Sequence, residues 1–448
     1  MMADDRLFHT GSHDLPVTPA LEEFMRTGWL DSERHDLPED PIAPWAARRR
    51  DRLREILPGR RIVVSSGTFK VRSNDTDYRF RPYTPYTWLS GDQSSDGVLV
   101  IEPDGAETLY LRPRSDRGSR ESFRDRRYGE FWAGRRATLA ESERALGIQT
   151  EHLDKLDPAS AVPPDPELKA VLCELRLIKD DWEIAQLEQA VAITTRGFED
   201  VVRALPKAKT ERHLEGVFWA RSRLEGNEPG YHSIVAAGPN AATLHWIDND
   251  GPIREGDLLL LDAGAETRTL YTADITRVFP ISGHFSPLQR DLYELCRLAN
   301  NAALETLRPG ASYRAFHGAA MTVLAHGLAD LGLLPCSAEE ALASENGLHR
   351  RWTLCGSGHM LGMDVHDCAQ ARATEYLDGI LQPGHVLTVE PGIYFQPDDA
   401  LIPAEMRGLG FRIEEDVLIT GDGYRILSDQ LPREPSDVES WMHRIASS

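Results

Sequence analysis

The sequence predicts an α+β protein with a mixed α/β domain followed by a larger domain of strands and long helices. Three observations carry this reading. Short apolar runs bounded by turn residues recur between residues 45 and 175. Two stretches, Asp181–Leu205 and Thr210–Leu224, keep apolar residues at helical spacing. The stretch LLLLDAGAETRTLYTADITRVFP, Leu258–Pro280, reads as two strands folded back on each other. A length of 448 residues allows two or three domains at roughly 150 residues each.

Residues 1–44 are polar, rich in Asp and Pro, and read as an N-terminal arm with one short helix at Pro19–Thr27. A basic helix, Ala46–Leu57, ends at Pro58-Gly59 and opens the domain 45–175. Arg61–Ser65 and Gly97–Ile101 read as strands. Pro103-Asp104-Gly105 turns the chain, and Glu107–Leu111 returns as the hairpin partner. Residues 112–147 are charged and read as mostly helical, and Pro158, Pro163, Pro164 and Pro166 mark a linker. The second domain, 176–435, begins with the helix Asp181–Leu205, whose Ile184, Leu187, Val191, Phe198, Val201 and Leu205 share one face. Thr210 caps the next helix and Gly226 stops it. Ser286-Pro287-Leu288-Gln289 is a capping box that starts a helix running to Leu307. Ser312–Leu331 is a further helix, and from Thr353 the chain returns to strands at Val386–Glu390 and Gly410–Ile419. Residues 436–448 read as a C-terminal tail.

The hairpin carries the chemistry. Its first strand is apolar on both faces and ends on Asp262; its second, about Tyr271–Phe279, puts Thr272, Asp274, Thr276 and Val278 on one face. Two ionised carboxylates beside a buried strand are costly unless paired, protonated or given a metal. Arg277 has the wrong parity to join Asp274, and Arg268 lies in the turn, so the pair reads as half of a metal site. Three downstream segments offer the rest: His359 and His366 among glycines, Glu390 at a strand end before Pro391, and Glu414 sharing a face with Arg412. Each residue alone reads equally well as a turn, cap, loop or solvated charge. Together Asp262, Asp274, His359, Glu390 and Glu414 give one imidazole and four carboxylates, an oxygen-rich set suited to hard or borderline divalent cations. Such a set can hold two ions that share one water.

Composition removes other classes. A net charge of −21, spread along the chain, argues against nucleic acid and anionic membranes as partners. No run of about 18 apolar residues spans a membrane, and the N-terminus lacks the apolar core of a signal peptide. Five cysteines without CxxC spacing suggest neither a disulfide framework nor a thiolate zinc site, so a cytoplasmic location is expected.

The ordered motifs DAGAETRTLYTADITRVFP, GHMLGMDVHD, TVEPGIYF and FRIEEDVLIT resemble those of aminopeptidase P and prolidase, the pita-bread metallopeptidases. LRLIKDDWEIAQLEQA and YHSIVAAGPNAATLHW match as well, and NDTDYRFRPYTPYTWLSGD is similar to the N-terminal domain of aminopeptidase P. The resemblance covers roughly residues 45–430. It implies a curved antiparallel sheet with flanking helices and a pair of divalent ions, manganese first, with cobalt, iron or zinc as alternatives. The implied activity removes an N-terminal residue that precedes proline, so the expected partners are Xaa-Pro peptides and a second copy of the chain, as a homodimer or homotetramer. Asp262, Asp274, His359, Glu390 and Glu414 match the ligands, with Asp274 and Glu414 bridging. His245 and His366 match substrate-side histidines, Arg412 the arginine beside the last ligand, and Tyr394 the tyrosine following VEPG. In the implied mechanism Glu390 shuttles a proton, His366 stabilises the oxyanion, and His245 and Arg412 orient the peptide.

The chain departs from the family pattern in two places. Cys355 stands where a histidine is usual and Gly358 where serine or threonine is common, and the two aspartates lie twelve apart, one more than the commonest spacing. The alternatives are a prolidase restricted to Xaa-Pro dipeptides and a weakly active peptide-binding relative.

Overall fold

A computed structural model describes residues 17–157 and 164–447. The first residues of the arm, the N-terminal stretch tested against a signal peptide, and most of the proline-rich linker lie outside the described residues. The chain divides into two compact units, Met1–Leu172 and Cys173–Ser448. Among the described residues no helix is long and apolar enough to cross a membrane.

The first unit is built on a four-stranded sheet in the order Ile62–Ser65, Val98–Ile101, Glu107–Leu111, Gln149–His152. The first three strands pair antiparallel and the last joins in parallel. Gly105 at φ +90° makes the predicted hairpin turn. Helix Ala43–Ile56 buries Arg49 and Arg50, whose guanidiniums donate to the Trp88 and Leu89 carbonyls at 3.1 and 2.7 Å. Residues 112–147 are less helical than their charge pattern suggests: only Glu121–Arg124, Glu130–Ala133 and Leu139–Leu146 form helix. Arginine–carboxylate pairs such as Arg114–Glu130, at 2.6 Å, tie the loops between them.

In the second unit, Asp180 and Glu183 form a capping box that starts helix Asp181–Ala204. The expected apolar face is buried except at Ile184, which is half-buried. Thr210 does not cap the next helix, Glu211–Glu225, with its side chain; it forms an isolated bridge with Pro252 instead. Three antiparallel strands follow in the spatial order Ile275–Pro280, Leu258–Ala263, Ile234–Ala237. The second hairpin strand starts later than its alternation suggested. Leu270 adopts a left-handed φ of +72° and the preceding residues form a loop, so Thr276 rather than Asp274 stands opposite Asp262.

The run predicted as one strand at Gly410–Ile419 is two. Gly410–Arg412 pairs with Gly392–Tyr394, and Glu415–Ile419 pairs with Val386–Val389. Glu414 sits at the break between these two ladders, and Glu390 lies just past the end of Val386–Val389, where Pro391 cannot extend it. Helix Pro287–Glu305 has the predicted Ser286–Gln289 capping box and packs against Ala315–Asp330.

The segment read as a tail is not one. Pro435–Ser447 is a helix whose Val438, Trp441 and Met442 are buried. Their i, i+3, i+4 spacing is an apolar stripe too short to stand out in the sequence. The Trp441 ring stacks on Phe279 of the hairpin at 5.7 Å and 20°. Replacing Trp441 by Ala is expected to cost about 3 kcal/mol or more of unfolding free energy, measurable by urea denaturation. A loss within experimental error would mean that the helix is dispensable.

Candidate metal centre

Asp262 is the last residue but one of its strand, and at Gly264, between that strand and the short strand Ala265–Glu266, a β-carbon would lie 1.7 Å from the Ala273 carbonyl oxygen. That close approach brings Asp274 beside Asp262. The Tyr231 hydroxyl lies 2.6 Å from an oxygen of each carboxylate. Asp262 is also ion-paired to Arg412, whose guanidinium donates to Thr276 Oγ1 at 2.9 Å and to the Tyr394 hydroxyl at 2.7 Å. The Thr276 hydroxyl in turn donates to Glu414 Oε2 at 2.6 Å. Arg412 is therefore the positive charge within the acidic cluster, a partner too distant in sequence to be read from the hairpin.

His359 is fixed from behind. Its backbone N–H donates to Thr388 Oγ1 at 3.1 Å and its Nδ1 lies 3.0 Å from the Met360 carbonyl, so Nε2 faces the acids. Nε2 is 3.2 Å from Asp274 and 3.4 Å from Glu390. Thr388 Oγ1 donates to Glu390 at 3.2 Å. One ligand atom each from Asp274, His359 and Glu414 lies within 4.8 Å of the others. Asp262 falls outside this trio, turned toward Arg412 and Tyr231, and Glu390 meets it through His359.

All five of these residues line one cavity of about 280 Å³, together with His245, His366, Arg412, Cys355 and Tyr231. The His359 and His366 rings meet edge to face with centroids 4.4 Å apart. Tyr394 meets the cavity wall through Arg412 and Cys355. Asp367, next to His366, is fully buried between Arg176 and Lys179, the latter at 2.9 Å, which pins the loop. His245 stands on a loop folded around Glu211, whose buried carboxylate accepts from Ala237 and Gly251 backbone N–H groups and from the Trp246 indole, at 2.7, 2.6 and 2.8 Å.

The electrostatics are those of a site short of positive charge. Burial pushes Glu390 up to about 7, with Asp274 adding to it and His359 opposing. Burial opposes the charge on His359, yet Asp274 and Glu390 lift it to about 9. Burial and the neighbouring Asp274 raise Glu414 well above the carboxylate range. Glu414 Oε1 is buried with no hydrogen-bond partner, as is Asp416 Oδ1, whose other oxygen accepts from the Asp274 N–H at 3.1 Å. An orphaned carboxylate oxygen beside an imidazole and a second acid is a donor set that fits a divalent cation.

Sequence reasoning missed Tyr231, Thr276, Thr388 and Asp416. Thr276 was visible as a residue of Asp274's parity, and Asp416 follows the last ligand by two; nothing local marked the other two.

The chain matches the family described as metallopeptidase family M24 over residues 185–421, and the aminopeptidase P N-terminal domain over residues 46–161. It is 50% identical to Xaa-Pro aminopeptidase 1 of Streptomyces coelicolor, covering 95% of this chain and 92% of that one. It is 51% identical to Xaa-Pro aminopeptidase 2 of the same organism, over 96% and 97% of the two chains. The solved structure of Escherichia coli aminopeptidase P with the inhibitor Pro-Leu superposes with a TM-score of 0.81 at 28% identity, covering 92% of this chain and all of that one.

A cation at this site must displace the proton of His359 and find Glu390 ionised. In the metal-free protein the raised His359 adds stability that is complete below its ordinary value of 6.5 and lost as pH rises through about 9. The raised Glu390 acts in the same sense, favouring the folded state below 4.5 and losing that advantage as pH rises through about 7. The thermal stabilisation produced by added Mn²⁺ is therefore expected to grow from about pH 6 to 9, with proton release on binding. Scanning fluorimetry with and without Mn²⁺ measures the first, and calorimetry in buffers of different ionisation enthalpy the second. A pH-independent response would count against this account of the site.

Proposed function

The chain belongs to metallopeptidase family M24, and from that premise we propose that it is an Xaa-Pro aminopeptidase working with two divalent ions, manganese first among them. The observation that carries the reading is the convergence of Asp274, His359 and Glu414 within 4.8 Å, with one Glu414 oxygen buried and unpartnered. Asp262, Asp274, His359, Glu390 and Glu414 would hold the ions. Bound cations supply Lewis acidity and a water whose pKa falls toward neutrality.

The chain's own residues do the rest. Glu390, with its affinity for protons raised toward neutral pH, takes a proton from the attacking water and delivers it to the proline nitrogen as the amide bond breaks. His366 projects from the loop pinned by Asp367 and donates to the developing oxyanion. His245 and Arg412 line the same cavity and orient the peptide, and Arg412 also ion-pairs with Asp262. A free N-terminal ammonium is attracted to so acidic a cavity, which restricts cleavage to the first bond. The Xaa-Pro names of the two Streptomyces relatives support this substrate class.

The purified protein is expected to release free Xaa from Xaa-Pro-peptides, to lose the activity to a chelator and to regain it with Mn²⁺. Replacing Glu390 by Gln should lower kcat by about 10²–10⁴. Turnover of Xaa-Pro dipeptides but not tripeptides would replace this reading with a prolidase. Binding of these peptides without turnover would make the chain a peptide-binding relative. Full activity in metal-stripped protein would overturn the proposal.

A further inference from the structure

Behind the acidic cavity, helix Pro287–Glu305 sends two polar side chains toward the strands that end in Glu390 and Glu414. Asn300 is completely buried. Its Nδ2 donates to the Val389 carbonyl at 2.9 Å and to the Ile413 carbonyl at 3.1 Å. Val389 immediately precedes Glu390, and Ile413 immediately precedes Glu414. One carboxamide thus spans the two carbonyls that lead into two of the candidate ligands, although Val389 closes one ladder and Ile413 lies in the break between the two. Its orientation is fixed by chemistry: both carbonyls can only accept, and Oδ1 receives the Arg433 guanidinium at 2.9 Å. One turn earlier on the same helix face, Cys296 donates its buried thiol to the Pro391 carbonyl, on the other side of Glu390, at 3.1 Å. Two diverging acceptors need two hydrogens from one atom, and the amide NH₂ of Asn300 supplies them.

We propose that Asn300 is a positioning residue of the metal centre: by clamping the Val389 and Ile413 carbonyls it fixes the separation of the Glu390 and Glu414 carboxylates, and so the spacing at which they hold two cations. This rests on the dinuclear reading given above. Asn300 touches neither substrate nor ligand side chain; it acts through the backbone from which both ligands project. A group of this kind tunes affinity from outside the ligand sphere, and loss of such a group typically weakens binding by about 10–100-fold.

The test titrates Mn²⁺ into metal-free full-length protein by calorimetry and records the Mn²⁺ EPR spectrum at saturation. Asn300→Asp is nearly isosteric and keeps the acceptor for Arg433 but removes both donors; Asn300→Leu removes all hydrogen bonding. Leu304→Ala, a buried position one turn further along the same helix whose side chain has no hydrogen-bonding group, is the control for general destabilisation. The expected result is Mn²⁺ affinity lower by about 10–100-fold in a folded Asn300 variant, with the EPR signal of a coupled pair replaced by that of isolated ions. Leu304→Ala should melt at lower temperature yet bind Mn²⁺ like the parent. Parental affinity and spectrum in either folded Asn300 variant overturns the clamp, as does an equal loss in Leu304→Ala. If both Asn300 variants fail to fold while Leu304→Ala folds, Asn300 is a determinant of folding and the proposal also falls. Absence of Mn²⁺ binding by the parent protein would instead remove the dinuclear reading, and this inference with it.

Discussion

Mutual repulsion among buried carboxylates is the constraint on which the second unit is built. Asp262, Asp274, Glu390 and Glu414 share a cavity of about 280 Å³. At an effective dielectric of about 20, two charges 4 Å apart repel by about 4 kcal/mol, so four cannot all ionise unaided. The protein offsets this in three ways. Arg412 contributes a guanidinium held by Thr276 and Tyr394. Tyr231, Thr276 and Thr388 contribute hydroxyls to individual carboxylate oxygens. Burial leaves Glu390 and Glu414 with raised proton affinity, so part of the charge is absent until a cation replaces the proton. The last route links the fold to chemistry, because the same pressure that disfavours the carboxylates without metal favours divalent ions among them.

Keeping these acids in register requires a stiff scaffold, and Arg277 shows how it is made. It lies on the opposite face of the hairpin from Thr276 and is fully buried. It donates to the Thr276 and Glu414 carbonyls at 3.0 and 2.6 Å, to Leu431 and Pro432 at 3.0 and 3.1 Å, and to Glu415 at 2.6 Å. All five guanidinium N–H bonds are thereby used, which offsets the cost of burying the charge. Alternation along one strand thus places a ligand-supporting hydroxyl on one face and a structural cation on the other. The pita-bread fold, with its helices behind antiparallel ladders, gives the other strands similar backing from Asn300 and Cys296.

What the sequence made legible was what local periodicity encodes: the hairpin, the capping box at Ser286, and the wrong parity of Arg277. The acids and histidines could be proposed as a set because Asp262 and Glu390 end recognisable strands, Asp274 and Glu414 lie on strand faces, the histidines stand among glycines, and their order resembles a known family. The missing parts depend on contacts between residues far apart in the chain. The Asp262–Arg412 ion pair joins positions 150 apart, and the Asp274–Asp416 hydrogen bond positions 142 apart. The C-terminal helix was hidden for another reason: its stripe of Val438, Trp441 and Met442 is a single turn's worth of pattern at the end of a polar segment.

The two unusual residues beside His359 have different physical standing. Gly358 has φ +155°, and a β-carbon there would lie 2.1 Å from the Thr388 carbonyl oxygen and 3.0 Å from the Phe316 ring. Thr388 cannot retreat, because its N–H donates to the His359 carbonyl at 2.8 Å and its hydroxyl serves both His359 and Glu390. Glycine at 358 is thus a requirement of this chain's close strand approach. Cys355 carries no such backbone demand. It lines the cavity beside Glu390 and Arg412, and burial together with Glu390 raises its thiol above the ordinary value, which keeps it neutral. A neutral thiol adds no charge to a cavity already crowded with acids, whereas a protonated imidazole there would compete with Arg412 for the same carboxylates. The substitution therefore leaves the balance of charge in the cavity to groups such as Arg412 and His359.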